Sequence, residues 1–120
     1  MGPQLTKKFF SFQTLVGMEF LVERKLFTIS LEKKYALNGN RRVNIDPGYL
    51  ELAKVVVATT KNFDHRVYLG RGIYGDVQLR YRGGKFVSND WTYPDYRSPI
   101  FVQFIEAVRE IYSNQLKQLG

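Results

Sequence analysis

The last quarter of the chain narrows the fold more than any other stretch. Ser98 is a favoured N-cap, because its hydroxyl accepts from a free backbone N–H. Pro99 fits the first helical position, where no N–H is needed. Ile100, Phe101, Phe104, Ile105, Val108, Ile111, Tyr112 and Leu116 then recur every three or four residues, with Gln103, Glu106, Arg109, Glu110 and Asn114 between them. The spacing predicts an amphipathic helix of about five turns with one broad apolar face. Such a face must be buried, and packing across a sheet is the natural solution.

Sheet-forming residues precede it. Val77, Leu79 and Tyr81 alternate with Gln78, Arg80 and Arg82; Gly83-Gly84 then turns the chain into Lys85 to Ser88. Alternation puts Gln78, Arg80 and Arg82 on one face and Val77, Leu79 and Tyr81 on the other. An earlier hairpin is expected where Phe27, Ile29 and Leu31 alternate with Thr28, Ser30 and Glu32. Asn38-Gly39-Asn40 supplies its turn and Arg41 to Ile45 its return. Lys33 and Tyr35 continue the apolar register, which implies a bulge or a protruding strand end. Asp46-Pro47 resembles a second helix start, with Leu50, Ala53 and Val57 on the buried side. The β-branched run Val55 to Val57, with Thr59 and Thr60, makes a strand the alternative. Residues 1–22 give no clear pattern.

The expected fold is a single α+β domain. It has an antiparallel sheet of two β-hairpin units, with the long C-terminal helix and a second helix near 47–60 packed on one face. The stretches from Ile29 and from Val77 share a sequence pattern. Each has an alternating strand, a basic patch, a glycine turn, a basic return and a closing Asp. A duplicated strands-then-helix unit, 1–60 and 61–120, accounts for this, as do two hairpins of similar chemistry. In topology the layout resembles the Whirly and PUR group of single-strand-binding proteins, whose units are curved sheets followed by a helix. No family motif is present, the Whirly lysine-glycine signature included, so the likeness is one of topology.

Function is constrained first by charge. Eighteen Lys and Arg against 11 Asp and Glu give a formal net charge of +7, which favours polyanionic partners. Cysteine is absent, which excludes disulfides and zinc–thiolate sites and is consistent with an intracellular location. No apolar run approaches the ~20 residues of a membrane span. Gly2 and Thr6 match the spacing of an acylation signal, a match attributed here to chance.

The stretch from His65 to Arg97 interleaves cations with rings. Arg66, Arg71, Arg80, Arg82, Lys85 and Arg97 alternate with Tyr68, Tyr74, Tyr81, Phe86, Trp91, Tyr93 and Tyr96. Cations neutralise phosphates, and rings stack on unpaired bases of any identity. The expected function is binding of single-stranded DNA or RNA with little sequence specificity, on an open basic sheet face. The expected contacts are Arg41, Arg42, Arg71, Tyr74, Arg80, Arg82, Lys85, Trp91 and Tyr93, with Tyr81 and Phe86 assigned to the core. An unpaired sheet edge makes a homodimer the expected oligomer. The alternative is a protein-interaction module or accessory subunit using 91–97, because Tyr, Trp and Arg concentrate binding energy at interfaces.

Catalysis is not expected. His65 is the sole histidine, and if it sat on a strand its neighbour Asp64 would point to the opposite face. Asp46, Asp64, Asp76, Asp90 and Asp95 fall at turn-like positions rather than in a metal-binding pattern. Gly70-Arg71-Gly72-Ile73-Tyr74-Gly75 has the spacing of a dinucleotide loop, but the residues after it have the pattern of a strand, not a helix. A bulged or bent strand is expected there, with Arg71 able to reach a phosphate. No metal or cofactor is implied.

Overall fold

The computed structural model describes residues 7–120. Gly2 and Thr6 lie outside them. Five strands form one antiparallel sheet, flanked by two helices. The strands are β1 (Gly48–Leu50), β2 (Lys54–Thr59), β3 (Arg66–Gly70), β4 (Ile73–Arg82) and β5 (Lys85–Ser88). Their order is β1-β2-β4-β3, and β5 also pairs with β4, beyond the end of β3. The α+β class is as expected. No helix among the described residues is long and apolar enough to cross a membrane.

The C-terminal helix, α2, spans Pro99–Leu119, and Phe101 N–H donates to Ser98 Oγ at 3.3 Å. Its first half docks: Phe101 and Ile105 are buried against Val55, Leu79 and Phe86. Ser98 and Pro99 set this helix because capping is local chemistry.

The other helix is not where the sequence placed it. Helix α1 spans Leu21–Lys34, over the expected first strand. Leu21, Lys25, Thr28 and Glu32 are buried at spacings of three and four, and Val22, Leu26 and Ile29 pack beside them. Phe27, read as a core strand residue, is exposed. In the helix Phe27 and Leu31 fall on one side and Ile29 on the other, so the two-residue alternation marks no common face, and of the three only Ile29 joins the buried stripe. Lys33 lies in the last turn of this helix and Tyr35 is its C-cap, so neither a bulge nor a protruding strand end exists there. The Asn38-Gly39 turn is real, with φ of 53° and 77°, but it closes only the bridge between Leu37 and Asn40. The expected return strand is irregular, and Ile45 N–H donates to the Glu32 carboxylate at 2.8 Å. Residues 47–60 form β1 and β2 rather than a helix, the outcome the β-branched valines favour.

The first half therefore runs helix then strands, and the second strands then helix. No strands-then-helix unit is repeated, and the topological likeness to Whirly and PUR units goes with it.

One irregularity organises the core. Val56 pairs with Val77 and Val55 with Leu79, leaving Gln78 as a bulge. Val77 therefore joins Leu21, Val56, Ala58 and Ile73 under α1, whereas Leu79 joins the cluster under α2. The expectation that Val77 and Leu79 share a face fails for this reason. Adjacent strand residues point oppositely, so Val55 and Val56 place α2 and α1 on opposite faces. Each helix covers about half of its face, at opposite ends of β4. The sheet thus has no single open face; it has two open regions, one on each side.

Candidate nucleic-acid interface

The first open region lies at the β4–β5 hairpin, on the face that α1 covers at the other end. Lys54 pairs with Arg80, Arg80 with Val87, and Arg82 with Lys85. Directly paired residues share a face, so four cations fall within two adjacent rows. Gly83 and Gly84 make the turn at φ of 59° and 81°, conformations that other residues adopt only with strain. Arg82 and Lys85 are exposed. Lys54 meets Glu51 at 3.0 Å, and the buried Nε of Arg80 has no partner.

The second region lies on the α2 face, over β3 and the first half of β4. Tyr68 pairs with Tyr74, their ring centroids 5.1 Å apart, and Arg66 pairs with Asp76. The crossover 60–65 and the segment 89–93 meet here. Between the ends of β3 and β5, side chains take over the edge of β4. Asn89 Nδ2 and Trp91 Nε1 donate to the Val77 carbonyl at 3.0 and 2.8 Å. Thr92 Oγ1 donates to the Gln78 carbonyl at 2.6 Å, and Tyr93 N–H to Gln78 Oε1 at 2.9 Å.

Arg66 is the hub. Its Nε donates to Asp76 at 2.9 Å, its Nη2 to the Tyr93 hydroxyl at 3.0 Å, and its Nη1 to the Lys61 carbonyl at 3.0 Å. Burial acts to lower its pKa. The bond to Asp76, the charges of Tyr93 and Asp76, and the bond to Tyr93 outweigh that and raise it. His65 stacks on Trp91 at 4.9 Å and 18°. Its Nδ1 lies 3.1 Å from Asp64 and its Nε2 3.4 Å from Asp76. The expectation that Asp64 points away from His65 fails because both sit in a turn before β3. Asp76 is almost fully enclosed, and its Oδ1 has no partner. Above this network Tyr68, Trp91 and Tyr93 remain 58%, 39% and 50% exposed.

The expected contact residues are therefore divided. Arg71, Tyr74, Trp91 and Tyr93 belong to the aromatic region, whereas Arg80, Arg82 and Lys85 form the basic one. Tyr74 and Arg80 lie on opposite faces and about 20 Å apart along β4. Arg41 and Arg42 are exposed in the loop between α1 and β1, where Arg41 donates to Asn44 at 2.9 Å. Arg71 sits at φ 55° between Gly70 and Gly72 in the β3–β4 turn, and a strand, not a helix, follows it. That rules out the dinucleotide-loop geometry. The glycines make a hairpin turn rather than the expected bend within a strand.

Tyr81 and Phe86 do belong to the core, and the Arg109 guanidinium lies 3.4 Å over the Tyr81 ring. Segment 91–97 is pinned rather than free. Thr92 is buried, Arg97 donates to its carbonyl, and Tyr96 packs against Phe101. Burial, then repulsion from Asp46, pushes the Tyr96 phenol well above its ordinary pKa. Tyr68 and Lys54 were missed as site residues. Tyr68 stands among the rings of the His65–Arg97 stretch but nothing there singles it out, Lys54 carries no signal, and the pairing register reveals both.

Among the described residues, no group of three or more His, Asp or Glu is placed to hold a metal ion. No curated protein and no solved structure matches the chain. A family model described as a domain of unknown function, DUF4416, matches residues 1–112, so the chain belongs to the DUF4416 family.

Proposed function

We propose that this protein binds single-stranded DNA or RNA with little sequence specificity, the bases resting against the aromatic region. One observation carries the reading. Tyr68, Trp91 and Tyr93 stay solvent-exposed around a rigid Arg66–Asp76 pair, on a half-face that no helix covers. A pre-set ring surface costs little entropy on binding, and stacking is indifferent to base identity. Exposed Lys61 and Arg71 border it and are suited to phosphates. Lys54, Arg80, Arg82 and Lys85 add a second, purely electrostatic contact on the other face. The reading assigns no catalytic residue and no cofactor, and an intracellular location suits it.

Fluorescence anisotropy with labelled single-stranded and duplex oligonucleotides, at two salt concentrations, tests this. The expected result is preference for the single strand, weakening with salt, and a loss on Tyr93→Leu. Equal affinity for duplex would leave only charge attraction and remove the role of the rings. No binding even at low salt would transfer the aromatic region to the alternative, a protein partner.

A further inference from the structure

β3 is an edge strand: it pairs with β4 alone among the described residues. Its outer edge is unusually unprotected. Between Arg66 and Arg71 there is no charge, no proline and no lysine, the devices by which monomeric proteins blunt an edge. Val67 is 68% exposed and Leu69 43%. Both lie on the α1 face. The Gly75 α-carbon sits so close that a Cβ there would meet Leu69 Cδ1 at 3.2 Å and Val56 Cγ1 at 3.5 Å. Val67 and Leu69 thus extend the apolar cluster of Val56 and Ile73 outward, past the reach of α1.

We propose that β3 pairs antiparallel with β3 of a second copy of this chain, joining two sheets edge to edge. The sequence of the strand is self-complementary under the required two-fold axis. A register centred on Tyr68 sets Val67 opposite the partner's Leu69, so both apolar side chains are covered. The same register sets Arg71 opposite the partner's His65, next in sequence to the partner's exposed Asp64 carboxylate. Arg66 adds no repulsion because Asp76 neutralises it. The axis of such a pairing stands perpendicular to the sheet, so a given face stays on the same side in both copies. The two aromatic regions then merge into one surface, with Tyr68 at its centre. A five-residue strand buries less than a standard interface, so the dimer forms in the micromolar range rather than below it.

This surface deepens the single-strand reading, but the dimer itself does not depend on it and is measured without nucleic acid. Sedimentation equilibrium up to hundreds of micromolar should give twice the 14.0 kDa chain mass. Val67→Lys, at an exposed position, should return the mass of one chain while leaving the thermal unfolding curve in place. The chain has no cysteine, so Tyr68→Cys on oxidation should yield a covalent dimer, since directly opposed cysteines on antiparallel strands can bridge. Gln103→Cys, exposed on α2, should not. A wild-type chain that remains monomeric, a Val67→Lys variant that still dimerises, or equal cross-linking of both cysteine variants overturns the proposal. A dimer that ignores single strands leaves the pairing intact and removes only the function assigned to its merged face.

Discussion

The aromatic and basic regions draw on the same strand, β4, yet they are built in opposite ways. The aromatic region is braced from beneath. Arg66 bonds to Asp76, Tyr93 and the Lys61 carbonyl, and Trp91 is held both by His65 and by the Val77 carbonyl. The basic region has almost no bracing. Arg82 and Lys85 stand in solvent on a glycine turn, and only Lys54 has a carboxylate partner. A braced surface loses little conformational entropy when a ligand rests on it. A row of free cations attracts any polyanion and is weakened by salt. On the proposed reading, one sheet carries a braced surface for bases and an unbraced one for phosphates.

The largest expected effect tests the bracing. Asp76→Ala leaves Arg66 without its carboxylate partner in an enclosed site, and a broken buried pair costs about 3–5 kcal/mol. Urea denaturation should show that loss. A loss below about 1 kcal/mol would mean the network behaves as a surface pair and the two regions are alike. Next come the rings. Trp91→Leu or Tyr93→Leu should each weaken single-strand binding by about 1–3 kcal/mol while leaving the salt slope unchanged. Anisotropy titrations at several salt concentrations read both quantities.

The basic region should behave inversely. Arg80→Ala with Arg82→Ala should reduce the salt slope by about 1.4 for a single strand and lower affinity evenly across sequences. An unchanged slope would detach the basic region from nucleic acid altogether.

The smallest effect concerns the anchor beside the aromatic region. The Tyr96 phenol has its folded pKa raised by burial and by Asp46, whereas an unfolded tyrosine ionises near pH 10. The folded state therefore holds a proton that the unfolded state has released. This stabilisation is complete below about pH 10 and is lost as pH climbs through the folded value. Melting temperatures between pH 9 and 11 should fall more steeply for the wild type than for Tyr96→Phe.

Much of the second half was legible, because its signals are local. Ser98-Pro99 starts α2, Gly83-Gly84 turns β4 into β5, and the valine run from Val55 favours a strand. The first half misled because Phe27, Ile29 and Leu31 satisfy a two-residue period, although in the helix only Ile29 joins the buried stripe. Burial of Lys25, Thr28 and Glu32 shows that stripe, and polar residues do not advertise a buried face.

By itself the sequence determined the charge, the supply of rings, the absence of thiol chemistry, the long C-terminal helix and the β4–β5 hairpin. Each depends on composition or on residues a few positions apart. The tertiary structure alone decided which of those residues meet. The bulge at Gln78 sends Val77 and Leu79 to opposite faces, and with it one expected interface divides into two. A bulge is a mismatch between partner strands, so no single strand's sequence contains it.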